Sequence, residues 1–262
     1  MKKEWKEALD LSLKTGRGAA RILADGFGNR DMEIFRKEGR ELVTVYDRKA
    51  EAFIIRELET AGWPVIAEES KPRLSDGAKI YWAVDPLDGT NNFAYGVPHF
   101  AVSIALMEEG QPVTGAIVDP LKKEEFTAVR GGGSFLNGNP ITVSAQRELS
   151  RALLATGFSY NRSEAGYNNM ENFKRIVLCC GGIRRMGAAS LDLAYVACGR
   201  FDGYWETDLK IWDMAAGVLL VREGGGRASR LNGAPWDPGR DDVLTATPGL
   251  HPALVKLMDQ YD

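Results

Sequence analysis

Apolar side chains recur at helical intervals near the start of the chain, at Trp5, Leu9, Leu13, Ala20 and Leu23, with charged residues between them. That spacing predicts one amphipathic helix running through Gly16 and Gly18. A charged loop, RKEGRE at 36–41, reads as an exposed segment before a short strand-like run at Leu42, Val43, Thr44 and Val45. A second helix is expected from about Asp47, with Phe53, Ile54 and Leu58 on one face. Two brief apolar runs then end in acids. Pro64-Val65-Ile66-Ala67 leads into Glu68-Glu69, and Ile80-Tyr81-Trp82-Ala83-Val84 leads into Asp85. Both read as buried strands that deliver carboxylates at their ends.

From Phe100 to Ala128 the pattern becomes strands joined by polar turns, EEGQP and DPLKKEE, which predicts an antiparallel meander continued by the glycines at 131–133 and the NGNP turn. After Ser150 helical stretches are expected at about 167–179, 189–199 and 212–223, separated by short strands. The halves therefore differ: residues 1–148 read as an α+β subdomain with an antiparallel sheet, and residues 149–262 as an α/β subdomain. No Pro- or Ser-rich linker divides them, so they are expected to pack tightly as one unit.

Composition narrows the function classes. A chain of 262 residues with a formal charge of −3 offers no basic stripe for nucleic-acid phosphates, so nucleic acid is not an expected partner. The N-terminal MKKEWKEALDLSLKTG breaks each apolar stretch with charge, unlike a signal peptide or membrane span, and a cytoplasmic, non-membrane protein is expected. Three cysteines, two of them adjacent at Cys179 and Cys180, make no disulfide framework and read as buried structural thiols. Two histidines, His99 and His251, argue against a histidine-rich zinc site.

The chemistry concentrates in WAVDPLDGTNNF, residues 82–93. Alone, Asp85-Pro86-Leu87-Asp88-Gly89 is a good β-turn sequence, since Asp starts turns, Pro presets φ and Gly accepts unusual dihedrals. Its position after an apolar strand points instead to held carboxylates. Gly89-Thr90 can open a short helix with free N–H groups for a phosphate, and Glu68, Glu69 and Asp213 stand at comparable strand ends or helix starts. Oxygen donors of this kind suit a hard divalent cation, Mg²⁺ in particular. An aspartyl-phosphate chemistry is disfavoured because its family carries Asp-x-Asp-x-Thr, and the spacing here is Asp-x-x-Asp-Gly-Thr.

Taken in order, Glu68-Glu69-Ser70, DPLDGTNNF and WDMAAGVLLVREGGG resemble the inositol monophosphatase family, and RRMGAASLDLAYVACGRFDGYWE resembles its bacterial members. The resemblance runs from about Glu41 to Trp236. It implies a five-layer αβαβα sandwich, of the kind shared with fructose-1,6-bisphosphatase, and a homodimer. It further implies that Glu68, Asp85 and the carbonyl of Leu87 hold one metal, and Asp85, Asp88 and Asp213 a second, with two or three Mg²⁺ per site. Gly89 and Thr90 would contact the phosphate, beside Asp88 and Asp213. Thr90 paired with Asp47 would orient the attacking water, and Glu69 would support a weaker metal or its waters. Glu206 would bind a sugar or inositol hydroxyl, and Gly187-Ala188-Ala189 would form a second substrate-contacting loop, although small residues there suit close helix packing equally.

Departures from the family pattern are Ala67 for glycine, Glu41 for aspartate and Asn91 for threonine, none of them a predicted ligand. Gly224-Gly225-Gly226 reads as a helix-ending turn rather than a phosphate loop, and Lys37 as a solvated side chain. The expected activity is lithium-sensitive, Mg²⁺-dependent hydrolysis of myo-inositol monophosphates. Fructose 1,6-bisphosphate, histidinol phosphate and 3′-phosphorylated nucleotides are alternative substrates of similar enzymes. A regulatory protein of the transcription machinery, using Arg184-Arg185 at an interface, is the alternative of another class.

Overall fold

The computed structural model describes residues 2–29, 31–36, 42–70, 78–160 and 168–258; the expectations for Lys37 and Glu41 lie outside them. Helix α1 (Lys3–Gly26) forms as the spacing predicts, but its most buried face runs through Ala8, Ser12, Thr15, Gly16, Ala19, Ala20 and Leu23, with Leu9 and Leu13 only half-buried. The glycines are contact points, not tolerated defects. A Cβ on Gly16 would meet Val118 at 3.0 Å, and one on Gly18 would meet the Phe53 ring at 2.4 Å. Small residues let the helix lie close to the sheet beneath it.

A two-stranded ribbon, β1 (Ile34–Arg36) with β2 (Leu42–Thr44), leads into α2 (Val45–Leu58). That helix starts two residues before the expected Asp47, because Thr44 is its N-cap. The Thr44 side chain accepts from the Tyr46 and Asp47 N–H groups while Asp47 accepts from the Thr44 N–H, a capping box. Helices α1 and α2 cover one face of a seven-stranded sheet ordered β3 (Val65–Ala67), β4 (Ile80–Asp88), β5 (Ala101–Glu108), β6 (Gln111–Asp119), β7 (Glu124–Val129), β8 (Gly133–Leu136), β9 (Asn139–Ile141). The β3–β4 pair is parallel and the rest is the expected antiparallel meander. Strand β4 leads directly into a short helix, α3 (Thr90–Ala94).

The second sheet is five-stranded, ordered β11 (Gly182–Arg184), β10 (Leu153–Thr156), β12 (Gly203–Glu206), β14 (Val243–Ala246), β13 (Arg227–Ser229). Helices α5 (Ala189–Ala197) and α6 (Ile211–Glu223) lie between the two sheets in one apolar core, and α4 (Met170–Val177) and α7 (His251–Leu257) close the outer face of the second sheet. The layers thus run α, β, α, β, α. Helix α6 ends at Gly224, with Gly225 at φ 83° in the left-handed cap the sequence suggested. Cys179 and Cys180 follow α4 and are half-buried free thiols, less enclosed than the sequence implied. The preceding Leu178 is itself 81% exposed, so this end of the helix lies at the surface.

The middle layer is tight because Gly217 of α6 sits against Leu193 of α5, where a Cβ would approach Leu193 to 2.4 Å. Gly217→Ala is expected to cost about 1–3 kcal/mol through overpacking. A denaturant midpoint equal to that of the wild type would show that the contact is not a constraint.

Candidate functional site

The Asp85–Asp88 segment does not turn. It stays in β4 as a bulge: Asp85 pairs with Ser103 and Asp88 with Ala101, so one extra residue is accommodated on β4. A bulge bends its strand and re-aims its side chains, which is how two acids three positions apart come to one pocket. Asp85 is 2% exposed and accepts a hydrogen bond from the Leu87 N–H at 2.9 Å. Asp88 accepts from the N–H groups of Ala189 (3.1 Å) and Ser190 (2.7 Å) and from the Ser190 hydroxyl, so the first turn of α5 grips it. Asp213, in the first turn of α6, accepts from the Lys210 N–H at 2.6 Å. Glu68 continues β3, its N–H donating to the Val84 carbonyl.

These acids line one pocket of about 270 Å³ with Leu87, Gly89, Thr90, Gly187, Ala189 and Glu206, a volume that suits a small molecule. Ala188 lies under the wall, its Cβ against Gly89, and Asp47 and Glu69 are outside the lining. Glu69 is tied through its N–H to the Glu51 carboxylate at 2.8 Å. Side chains not singled out from the sequence also line it: Phe158, Ser159, Tyr160, Asp208 and Lys210, beside Arg185, which only the regulatory alternative had placed, at an interface. Ser159 donates to Asp208, and that pair closes one side. Sequence distance hid them, since only the pairing of β10 with β12 brings 158–160 beside 206–210.

Crowding the acids together shifts their titration. Burial, reinforced by the charges of Glu68, Asp88 and Asp213, holds the Asp85 carboxyl well above the ordinary range. Asp213 is likewise raised, by burial and then Glu68. Asp88 rises only to about 6, because burial is opposed by its bonds from α5. Among the described residues no three such side chains converge closely enough to make a ready-made cation cage, and the acids take local N–H partners. The donor set nevertheless fits a hard divalent cation: all donors are oxygens, Asp85 and Asp88 are buried beside the half-buried Glu68 and Asp213, and a cation would relieve their repulsion.

Thr90 has a second environment. Its hydroxyl lies 2.9 Å from both Asp47 Oδ1 and the Leu87 carbonyl, and can donate to either. Asp47 Oδ2 accepts from the Thr44 N–H and hydroxyl. Burial lifts the Asp47 carboxyl to about 6 against these bonds, so it is mostly ionised at neutral pH. Gly89, at φ 92° and with His99 O, Phe100 and Ala188 within 3.0–3.3 Å of any Cβ, can only be glycine.

His99 beneath that turn is buried, and neither ring nitrogen has a hydrogen-bond partner. Burial, aided by Lys122 and opposed by Asp119, lowers it to about 4. The unfolded chain therefore binds a proton near pH 6.5 that the folded chain refuses, and stability falls as pH drops from 6.5 toward 4 by up to about 3 kcal/mol. His99→Leu is expected to remove that component. Urea titrations at several pH values check it, and equal pH slopes for variant and wild type would refute it.

A layered α/β body with an acid-lined pocket for a small polar molecule has the character of a phosphatase of small phosphorylated compounds. Comparison with known proteins makes the assignment specific. The profile of the inositol monophosphatase family matches residues 4–262, and the chain belongs to that family, whose members are generally metal-dependent. It is 45% identical over 220 residues to an inositol-1-monophosphatase of Rhizobium meliloti, covering 82% of each chain. It is 43% identical over 236 residues to the Nus factor SuhB of Pseudomonas aeruginosa, covering 86% of each. The crystal structure of the extragenic suppressor protein SuhB from Bartonella henselae superposes with a TM-score of 0.90 at 35% identity, over 98% of this chain and 100% of that one.

Proposed function

We propose that the chain hydrolyses myo-inositol monophosphates to inositol and phosphate with Mg²⁺. The observation that carries this reading is the set of mutually repelling acids, Glu68, Asp85, Asp88 and Asp213, on one small pocket beside the Asp47–Thr90 pair. Glu68, Asp85, Asp88, Asp213 and the Leu87 carbonyl would hold the cations, with Glu69 supporting a weaker one. Bound there, Mg²⁺ supplies Lewis acidity and lowers the pKa of water.

The protein groups have separable tasks. Ionised Asp47 accepts the Thr90 proton in a hydrogen bond, which leaves the Thr90 oxygen lone pairs to accept from water and aim it at phosphorus. The water oxygen forms the new P–O bond, the P–O bond to the alcohol breaks, and the alcohol oxygen takes up a proton. The N–H groups of Gly89 and Thr90 receive phosphate oxygens, Glu206 accepts from a ring hydroxyl, and the Gly187-Ala188-Ala189 loop at the start of α5 borders the substrate, with Gly187 and Ala189 on the pocket and Ala188 behind them. Residues 1–148 and 149–262 would act as subdomains of one packed unit, in a lithium-sensitive homodimer.

A phosphate-release panel with and without Mg²⁺ tests this, using inositol 1-phosphate, fructose 1,6-bisphosphate, histidinol phosphate and adenosine 3′,5′-bisphosphate. Inositol 1-phosphate is expected to be turned over best. Undiminished activity in chelator sinks the metal reading, and preference for another panel member reassigns the substrate. The Nus-factor relative supports a second reading, binding to transcription machinery through exposed Arg184. Co-sedimentation with RNA polymerase, lost in Arg184→Ala, would establish it alongside catalysis.

A further inference from the structure

Glu206 lies in a notch that only glycine leaves open. A Cβ on Gly157 would stand 1.9–2.0 Å from the carboxyl atoms of Glu206. Gly157 is not among the described residues with positive φ, so a side chain there would be met not by backbone strain but by the Glu206 carboxyl, which would have to move. The pairing of parallel strands β10 and β12 explains the contact. Thr156 sits opposite Trp205, and one step further along both strands are Gly157 and Glu206.

A buried amide fixes this meeting. Asn169 donates through Nδ2 to the Gly157 carbonyl at 2.7 Å and accepts the Trp205 indole N–H at 2.8 Å, which ties the ends of the two strands together. It is 2% exposed and stands at φ 62°, a conformation asparagine tolerates better than most residues. From below, the buried Tyr204 hydroxyl donates to Glu206 Oε2. The carboxylate is thus confined by space on one side and by a donor on another, with its remaining lone pairs available to the pocket.

We propose that Gly157 is a specificity-determining residue acting through Glu206. Together with Tyr204 it holds that carboxylate as a fixed acceptor for hydroxyl groups on the alcohol half of the substrate, so that phosphorylated polyols are selected over phosphate esters lacking hydroxyls. The inference rests on the phosphatase reading above and extends it to residues outside the acid set. Fixed acceptors discriminate well because an ester without the hydroxyl desolvates the pocket-facing side of the Glu206 carboxyl and gives it nothing in return beyond its Tyr204 bond.

The test compares kcat/KM for myo-inositol 1-phosphate and phenyl phosphate in the Mg²⁺-loaded, full-length protein. In Gly157→Ala the ratio of the two is expected to fall about 10-fold or more, chiefly through KM for the inositol ester, since displacement of a positioned group by an ångström is costly. Tyr204→Phe, which removes the donor without altering the packing volume, is expected to lower the ratio in the same direction. In a Glu206→Ala background the Gly157→Ala change is expected to add nothing, because the notch is already empty. Wild-type protein that hydrolyses both esters while the variants keep its ratio overturns the inference alone. If Gly157→Ala does not fold, an unchanged ratio in Tyr204→Phe overturns it equally. Wild-type protein that hydrolyses neither ester overturns the phosphatase reading and this inference together.

Discussion

Asp85→Asn is expected to lower turnover by about 10³-fold or more while raising the melting temperature of the metal-free protein. The two effects have one origin. Burial and the charges of Glu68, Asp88 and Asp213 raise the Asp85 pKa above its unfolded value, so the folded chain binds the proton more tightly than the unfolded chain. Stability from that proton is present at low pH and is lost as pH rises from the ordinary carboxylate value through the raised one. At neutral pH folding must therefore either bury the Asp85 charge or take up a proton, and asparagine requires neither. For a chain of this length each kcal/mol recovered is worth roughly 2–4 °C. Added Mg²⁺ should stabilise the wild type by mass action and the variant much less. Thermal melts in chelator and in Mg²⁺, run beside phosphate release, check both parts. A variant that melts lower in chelator and keeps its activity would mean that these acids form no cation site.

How far the site was legible in the chain depends on the range of the contacts that build it. Apolar runs leading into acids at Glu68 and Asp85 are local patterns, and so is the start of α6 at Asp213; Glu68 follows β3 and Asp213 opens α6 as expected, whereas β4 runs three residues past Asp85 to Asp88. The Asp85–Asp88 segment has the composition of a turn, and nothing within it distinguishes a turn from a bulge. Only the register with β5, where Asp85 faces Ser103 and Asp88 faces Ala101, decides. Helix α1 was legible as a helix but only partly in its orientation: Ala20 and Leu23 are buried as the spacing expects, while Trp5, Leu9 and Leu13 are half-buried and the closest approach is made by alanine, serine and glycine. Glu206 was legible only through the family resemblance, while Gly157 and Asn169 left no signal, since each is ordinary in its own neighbourhood and gains its place from the pairing of β10 with β12.

Thr90→Ala is expected to reduce kcat by about 10²–10³-fold with a small change in KM, the lower part of the roughly 10²–10⁴-fold typical of a positioned proton-handling group. The hydroxyl touches both Asp47 and the Leu87 carbonyl, so it joins the capping box of α2 to the bulge of β4. Thr90→Ser keeps the oxygen and is expected to stay within about 10-fold of wild type, with the deficit arising from the freer rotation of serine without its methyl group. Asp47 adds a pH signature. Raised to about 6 by burial, it must be ionised to accept the Thr90 proton, so activity should fall as pH drops through that value. In Thr90→Ala the link is cut, and the acid limb of kcat against pH should lose the step belonging to Asp47. A Thr90→Ala enzyme with wild-type kcat and an unchanged acid limb would assign the orientation of water to other groups and leave the Asp47–Thr90 bond a purely structural clasp between α2 and β4.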